Sequence, residues 1–167
     1  RLGELYFIQD KMHQSLIEFD KAEKLISQTN REAINEYNLK KRLAYIYWSY
    51  GEEYVDIALE KALEASTIKD ELTSLSDAER AEINFDCLNN VCWYKLEKFI
   101  LQKTSTQSSV YSLADECLKN LYDDLKKDYK ALEQIVANDK TANAYDTMAS
   151  FCYHAHLFGD KEKDYLS

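Results

Sequence analysis

The sequence predicts an all-α fold of seven or eight helices, on three observations. The chain has no proline and only three glycines, Gly3, Gly51 and Gly159. Both residue types interrupt helices and serve the turns of sheets, so their scarcity favours long helices with short polar connections. Apolar residues also return every three or four positions almost throughout, the period of one helix face, and no segment carries a strand signal. At 167 residues and 46% apolar content, the chain can bury a real core as one domain spanning residues 1–167.

The elements follow in order. A first helix is expected at about 1–10 and a second at about 13–28, with Leu16, Phe19, Ala22, Leu25 and Ile26 on its inner side. Ser27 to Asn30 breaks the pattern, and Asn30 can cap the next helix. That third helix, about 31–49, runs through Ile34, Tyr37, Ala44 and Tyr47 and ends near Gly51. A fourth at about 53–66 carries Ala58, Leu59, Ala62, Leu63 and Ala65.

A polar stretch to Ser76 leads into a helix at about 77–101, cored by Leu88, Val91, Cys92, Leu96 and Phe99. Ser76-x-x-Glu79 forms a capping box if Ser76 is the cap, and Asp77 is the alternative. Lys103 to Ser109 is polar and reads as a loop. From about 108 to 137 the stripe runs through Leu113, Cys117, Leu121, Leu125, Leu132, Ile135 and Val136, as one helix or as two joined near Lys127-Asp128. After Asn138-Asp139-Lys140, a last helix is expected at about 141–158.

Charge and cysteine usage narrow the function classes. The net charge is −9 and four of the 21 basic residues are Arg. Nucleic acids and anionic membranes are bound largely by basic side chains, so neither is expected as a partner. Lys40-Lys41-Arg42 reads as a solvated helix face. Cys87, Cys92, Cys117 and Cys152 form no CxxC pair and stand among apolar helix residues, which predicts reduced core thiols in a cytoplasmic protein. No apolar run approaches the ~18 residues of a membrane span. The chain opens at Arg1 inside a repeat-like pattern and reads as a piece of a longer protein.

Leu2-Gly3-x2-Tyr6 followed by Ser15-x3-Phe19-x2-Ala22 resembles the tetratricopeptide repeat (TPR), as does Leu43-Ala44-x2-Tyr47-x3-Gly51 followed by Ala58-x3-Ala62-x2-Ala65. A weaker match pairs Asn89 to Cys92 with Ala114-x3-Leu118-x2-Leu121, and a fourth opens at Ala142 to Ala149 with Gly159-Asp160 as its turn. The spacing between these units varies and the usual proline is missing.

The resemblance implies a degenerate antiparallel helix-pair solenoid, a TPR-like superhelix whose concave groove is lined by the first helix of each pair. Carried over residue by residue, it implies Lys41, Tyr45, Trp48, Asn89, Trp93, Asp146 and Tyr153 as partner-binding positions. The chaperone-tail clamp of the family is matched only by Lys41 and Asn90, since Tyr45, Asn143 and Thr147 depart from it.

Catalytic chemistry is not expected. His13 stands alone in a polar stretch. His154 and His156 are two residues apart and point to different helix faces, whereas a helical metal pair sits four apart. With its glycines far apart the chain has no phosphate loop, and its carboxylates follow helix faces. The sequence therefore predicts a protein- or peptide-binding scaffold, with no enzyme activity, cofactor or metal. The alternative is a sensor or regulatory arm of a larger multidomain enzyme or transcriptional regulator. Self-association through the solenoid ends is a third expectation.

Overall fold

The computed structural model describes residues 2–28, 32–105, 116–136 and 142–157. Among these the chain forms seven α-helices and no strand. They are α1 (Leu2–Ile8), α2 (Met12–Gln28), α3 (Ala33–Tyr50), α4 (Val55–Ile68), α5 (Asp77–Ser105), α6 (Glu116–Val136) and α7 (Ala142–Leu157). Short 3₁₀ turns at Glu52–Tyr54 and Lys69–Glu71 flank α4. None of the described helices is long and apolar enough to cross a membrane. The predicted cap Asn30, residues 106–109 of the predicted loop and the Gly159 turn lie outside the described residues.

Contacts divide the chain into two units, residues 1–87 and 88–167, with the division inside α5. In the first unit consecutive helices pack on one another. Gly3 of α1 lies against Phe19 of α2, where a Cβ at position 3 would stand 2.8 Å from ring atoms. The Ser15 hydroxyl donates to the Gly3 carbonyl at 2.8 Å in the same buried spot. α3 and α4 pack on one another, and Ala44 of α3 and Ala58, Ala62 and Ala65 of α4 are all buried. Tyr37 near the start of α3 packs with Ala65 and Ile68 near the end of α4, so this pair is antiparallel. Between the pairs, Phe19 of α2 joins Leu39, Leu43 and Ile46 of α3 in one apolar cluster.

The connections are built locally. Gly51 ends α3 at φ 127°, a conformation that disfavours any residue with a Cβ, and its N–H donates to the Trp48 carbonyl. Asp10 takes φ 57° in the turn between α1 and α2, a region that Asp tolerates better than most residues. At the start of α5 the capping box forms with Ser76 as the cap. The Ser76 N–H donates to Glu79 at 2.9 Å and the Glu79 N–H returns to the Ser76 hydroxyl at 3.3 Å.

A network of four charges ties α2, α3 and α4 together. Lys40 pairs with Glu23 and Glu64, and Lys61 reaches the same two carboxylates at 2.9 and 3.3 Å. Burial by itself would raise the Glu23 carboxyl, but the hydrogen bonds and charges of Lys40 and Lys61 outweigh it and hold Glu23 below its ordinary range.

In the second unit the buried stripe of α6 is Leu118, Tyr122, Leu125, Tyr129 and Leu132, at alternating steps of four and three. Tyr122 stacks on Phe99 of α5 at 5.2 Å and faces Phe151 of α7 at 6.1 Å, and Tyr129 stacks on Phe151 at 4.2 Å. Lys95 of α5 pairs with Asp124 and, at 2.6 Å, with Asp128.

Several expectations change. α5 runs on to Ser105 into the expected loop, and of the two arrangements left open for the next segment, residues 116–136 take the single helix. Cys87 and Cys92 are buried and Cys152 is half-buried, but Cys117 is exposed because the stripe of α6 runs through Leu118 one residue on. Leu25, expected in the core, is 62% exposed, and Leu63 is exposed as well. Leu25 lies in the last turns of α2, where it lines an open cavity.

Candidate functional site

The outward face of α3 in the first unit gathers the most distinctive surface chemistry. Asn38, Arg42, Tyr45 and Ser49 follow one another at steps of four, three and four, so they form one stripe. The stripe opposite them, Tyr37, Ala44 and neighbouring residues, is buried. Tyr45 is 43% exposed and sits 5.9 Å from the ring of Trp48 on its own helix. Phe7 of α1 meets Tyr45 edge-on, also at 5.9 Å.

Arg42 is seated against this aromatic group. Its guanidinium lies 5.1 Å from the Phe7 ring centre and 5.4 Å from that of Tyr45, within cation–π range of both. Its Nε faces a Glu4 carboxylate oxygen at 3.5 Å. One cation is thus held by two aromatic rings and a carboxylate on a half-open surface.

Beside this face lies a cavity of about 660 Å³ between α1, α2 and α3. Phe19, Ala22, Leu25 and Leu39 give it an apolar floor, and Asn38 and Arg42 stand on its rim. That volume falls within the ~300–1,000 Å³ of ordinary ligand pockets.

The seven residues implied by the family resemblance fall in different settings. In the first unit Tyr45 and Trp48 come together on the α3 face. Lys41 turns instead to Asp86 of α5 and forms an ion pair there. In the second unit Asn89 and Trp93 are half-buried on successive turns of α5, and the Asn89 Oδ1 is buried with no hydrogen-bond partner among the described residues. Asp146 and Tyr153 are exposed seven residues apart on α7, a spacing that puts them on one face. Tyr153 meets the His154 ring edge-on at 5.2 Å, and burial lowers the His154 imidazole below its ordinary value. The side chain of His156 lies outside the described residues, and no group of three or more metal-ligating residues occurs among the described ones.

Phe7, Asn38 and Arg42 were not singled out from the sequence. Arg42 was hidden in Lys40-Lys41-Arg42, which is not one solvated face after all. Lys40 is 12% exposed within the charge network, Lys41 pairs with Asp86, and Arg42 joins the aromatic group. Three consecutive residues on a helix point in directions about 100° apart, so a run of like charge need not share an environment. The Asn38–Arg42–Tyr45 spacing was the available signal.

Comparison with protein-family models, curated proteins and solved structures finds no match for this chain.

Proposed function

We propose that this chain is a protein- or peptide-binding scaffold, a TPR-like stack of helix pairs that presents the α3 face and its adjoining cavity to a partner segment. The Gly3–Phe19 approach and the alanines between α3 and α4 support the helix-pair reading. Gly3 and these alanines are small and buried, which agrees with the small residues that the repeat resemblance asks for.

The observation that carries the binding reading is the exposed Tyr45, with half-buried Trp48 and Arg42 beside it, next to a cavity with an apolar lining. Tyr, Trp and Arg dominate binding hot spots because they offer large contact area with a polar handle. An apolar side chain of the partner enters the cavity, and the Asn38 carboxamide, with both donor and acceptor and no hydrogen-bond partner among the described residues, meets the partner's backbone.

The test compares capture of a binding partner by the wild-type chain, Tyr45→Ala and Trp48→Ala, with helical content checked by circular dichroism. Each substitution is expected to weaken capture by about tenfold, on the order of one hot-spot residue. Undiminished capture by both variants would eliminate this face as the binding surface.

A further inference from the structure

We infer that the segment received by the α3 face is basic, with an Arg or Lys about three residues from the apolar residue that fills the cavity. This rests on the peptide-binding reading and names the partner's chemistry.

Every cation of α3 is already engaged. Lys40 pairs with Glu23 and Glu64, Lys41 with Asp86, and Arg42 with Glu4 and two rings. From Leu43 through Glu60 the chain contains no Lys or Arg, and it contains Glu52, Glu53, Asp56 and Glu60. All four are exposed, and Glu52, Glu53 and Glu60 have no ion-pair partner among the described residues. The last turn of α3 has no basic residue to offset the partial negative charge of its C-terminal carbonyls.

An anionic segment running along Tyr45 and Trp48 toward the end of α3 therefore meets like charge and no Lys or Arg from Leu43 through Glu60. A cationic one meets aromatic faces, a helix C-terminus and solvated carboxylates, the complementary arrangement. The chain already makes this kind of contact internally: Arg42 lies on the Tyr45 ring with Glu4 beside its Nε. The net charge of −9 acts in the same direction at long range.

The spacing follows from helix geometry. Asn38, on the cavity rim, is seven residues from Tyr45, about 10 Å at 1.5 Å per residue. An extended partner covers that distance in about three residues at roughly 3.3 Å each.

A random linear peptide library displayed on phage and selected against the full chain tests this. Individual selected peptides are then measured by fluorescence anisotropy against wild type, Tyr45→Ala and the double variant Glu52→Gln/Glu53→Gln, each checked for helical content. The selected peptides are expected to be enriched in Arg or Lys about three positions from Leu, Ile, Met or Phe. Their affinity is expected to fall about tenfold with Tyr45→Ala. It should fall severalfold with the double variant, and severalfold again between about 0.05 and about 0.3 M salt. Peptides that depend on Tyr45 but are neutral or acidic would overturn the basic assignment and leave the peptide-binding reading standing. A library yielding no Tyr45-dependent peptide would overturn both. Tyr45-dependent basic peptides indifferent to Glu52 and Glu53 would overturn the placement of the basic residue.

Discussion

Substituting Gly3 with Ala tests the α1–α2 packing by the sign of its effect. In an exposed helix, Gly→Ala stabilises by about 1 kcal/mol through helix propensity. Here the new Cβ would stand 2.8 Å from two atoms of the Phe19 ring, where ordinary contact begins near 3.4 Å. The ring cannot yield easily, because it is 7% exposed and packed on Leu39, Leu43 and Ile46. Overpacking of this kind costs about 1–3 kcal/mol. Net of the propensity gain, Gly3→Ala is expected to destabilise by up to about 2 kcal/mol.

Urea unfolding followed by circular dichroism gives the net effect, and amide exchange in α1 and α2 localises it. The Phe19→Leu background should relieve the clash, giving a favourable coupling of about 1–2 kcal/mol in a double-mutant cycle. A Gly3→Ala variant more stable than wild type by the full propensity gain, with no coupling to position 19, would refute the close approach and the pairing built on it.

Two further outcomes are expected. The Glu23 carboxyl is lower in the folded chain than its ordinary 4.5. A depressed carboxyl contributes stability above its unfolded value and loses it as pH falls through the folded one, so the wild type should weaken more steeply than Glu23→Gln below about pH 4.5 in acid titrations of unfolding. Burial pushes the Cys92 thiol up to about 12, with Asp128 adding to the effect, whereas Cys117 is exposed. Maleimide followed by peptide mass spectrometry should therefore label Cys117 in the native chain and leave Cys92 unlabelled until denaturant is added, and equal labelling rates would contradict the assigned burial.

Much of the fold was legible because helices advertise themselves locally. The stripe through Val91, Cys92, Leu96 and Phe99 is buried as its periodicity implies, Gly51 stops α3, and Ser76 caps α5 three residues before Glu79. Tyr45 and Trp48 were legible as a pair because three residues on a helix bring side chains to one side. What failed depended on neighbours. Leu25 carries the same apolar signal as Phe19, yet one is exposed and the other buried, because Phe19 packs on Gly3, Leu39, Leu43 and Ile46 while Leu25 faces an open cavity. Cys117 and Leu118 are adjacent apolar residues, and only the direction from which α6 is covered decides between them.

The sequence alone therefore determined that this chain is helical, where most of its helices begin and end, and which faces are apolar, since backbone propensity, capping and periodicity act within a few residues. Only the tertiary structure decided the fate of Lys40, Lys41 and Arg42. The first was drawn into a charge network, the second to Asp86, and the third between Phe7 and Tyr45. It also opened a cavity beside them. The environment of a side chain is set by residues far away in sequence that packing brings near, and no local pattern encodes that proximity.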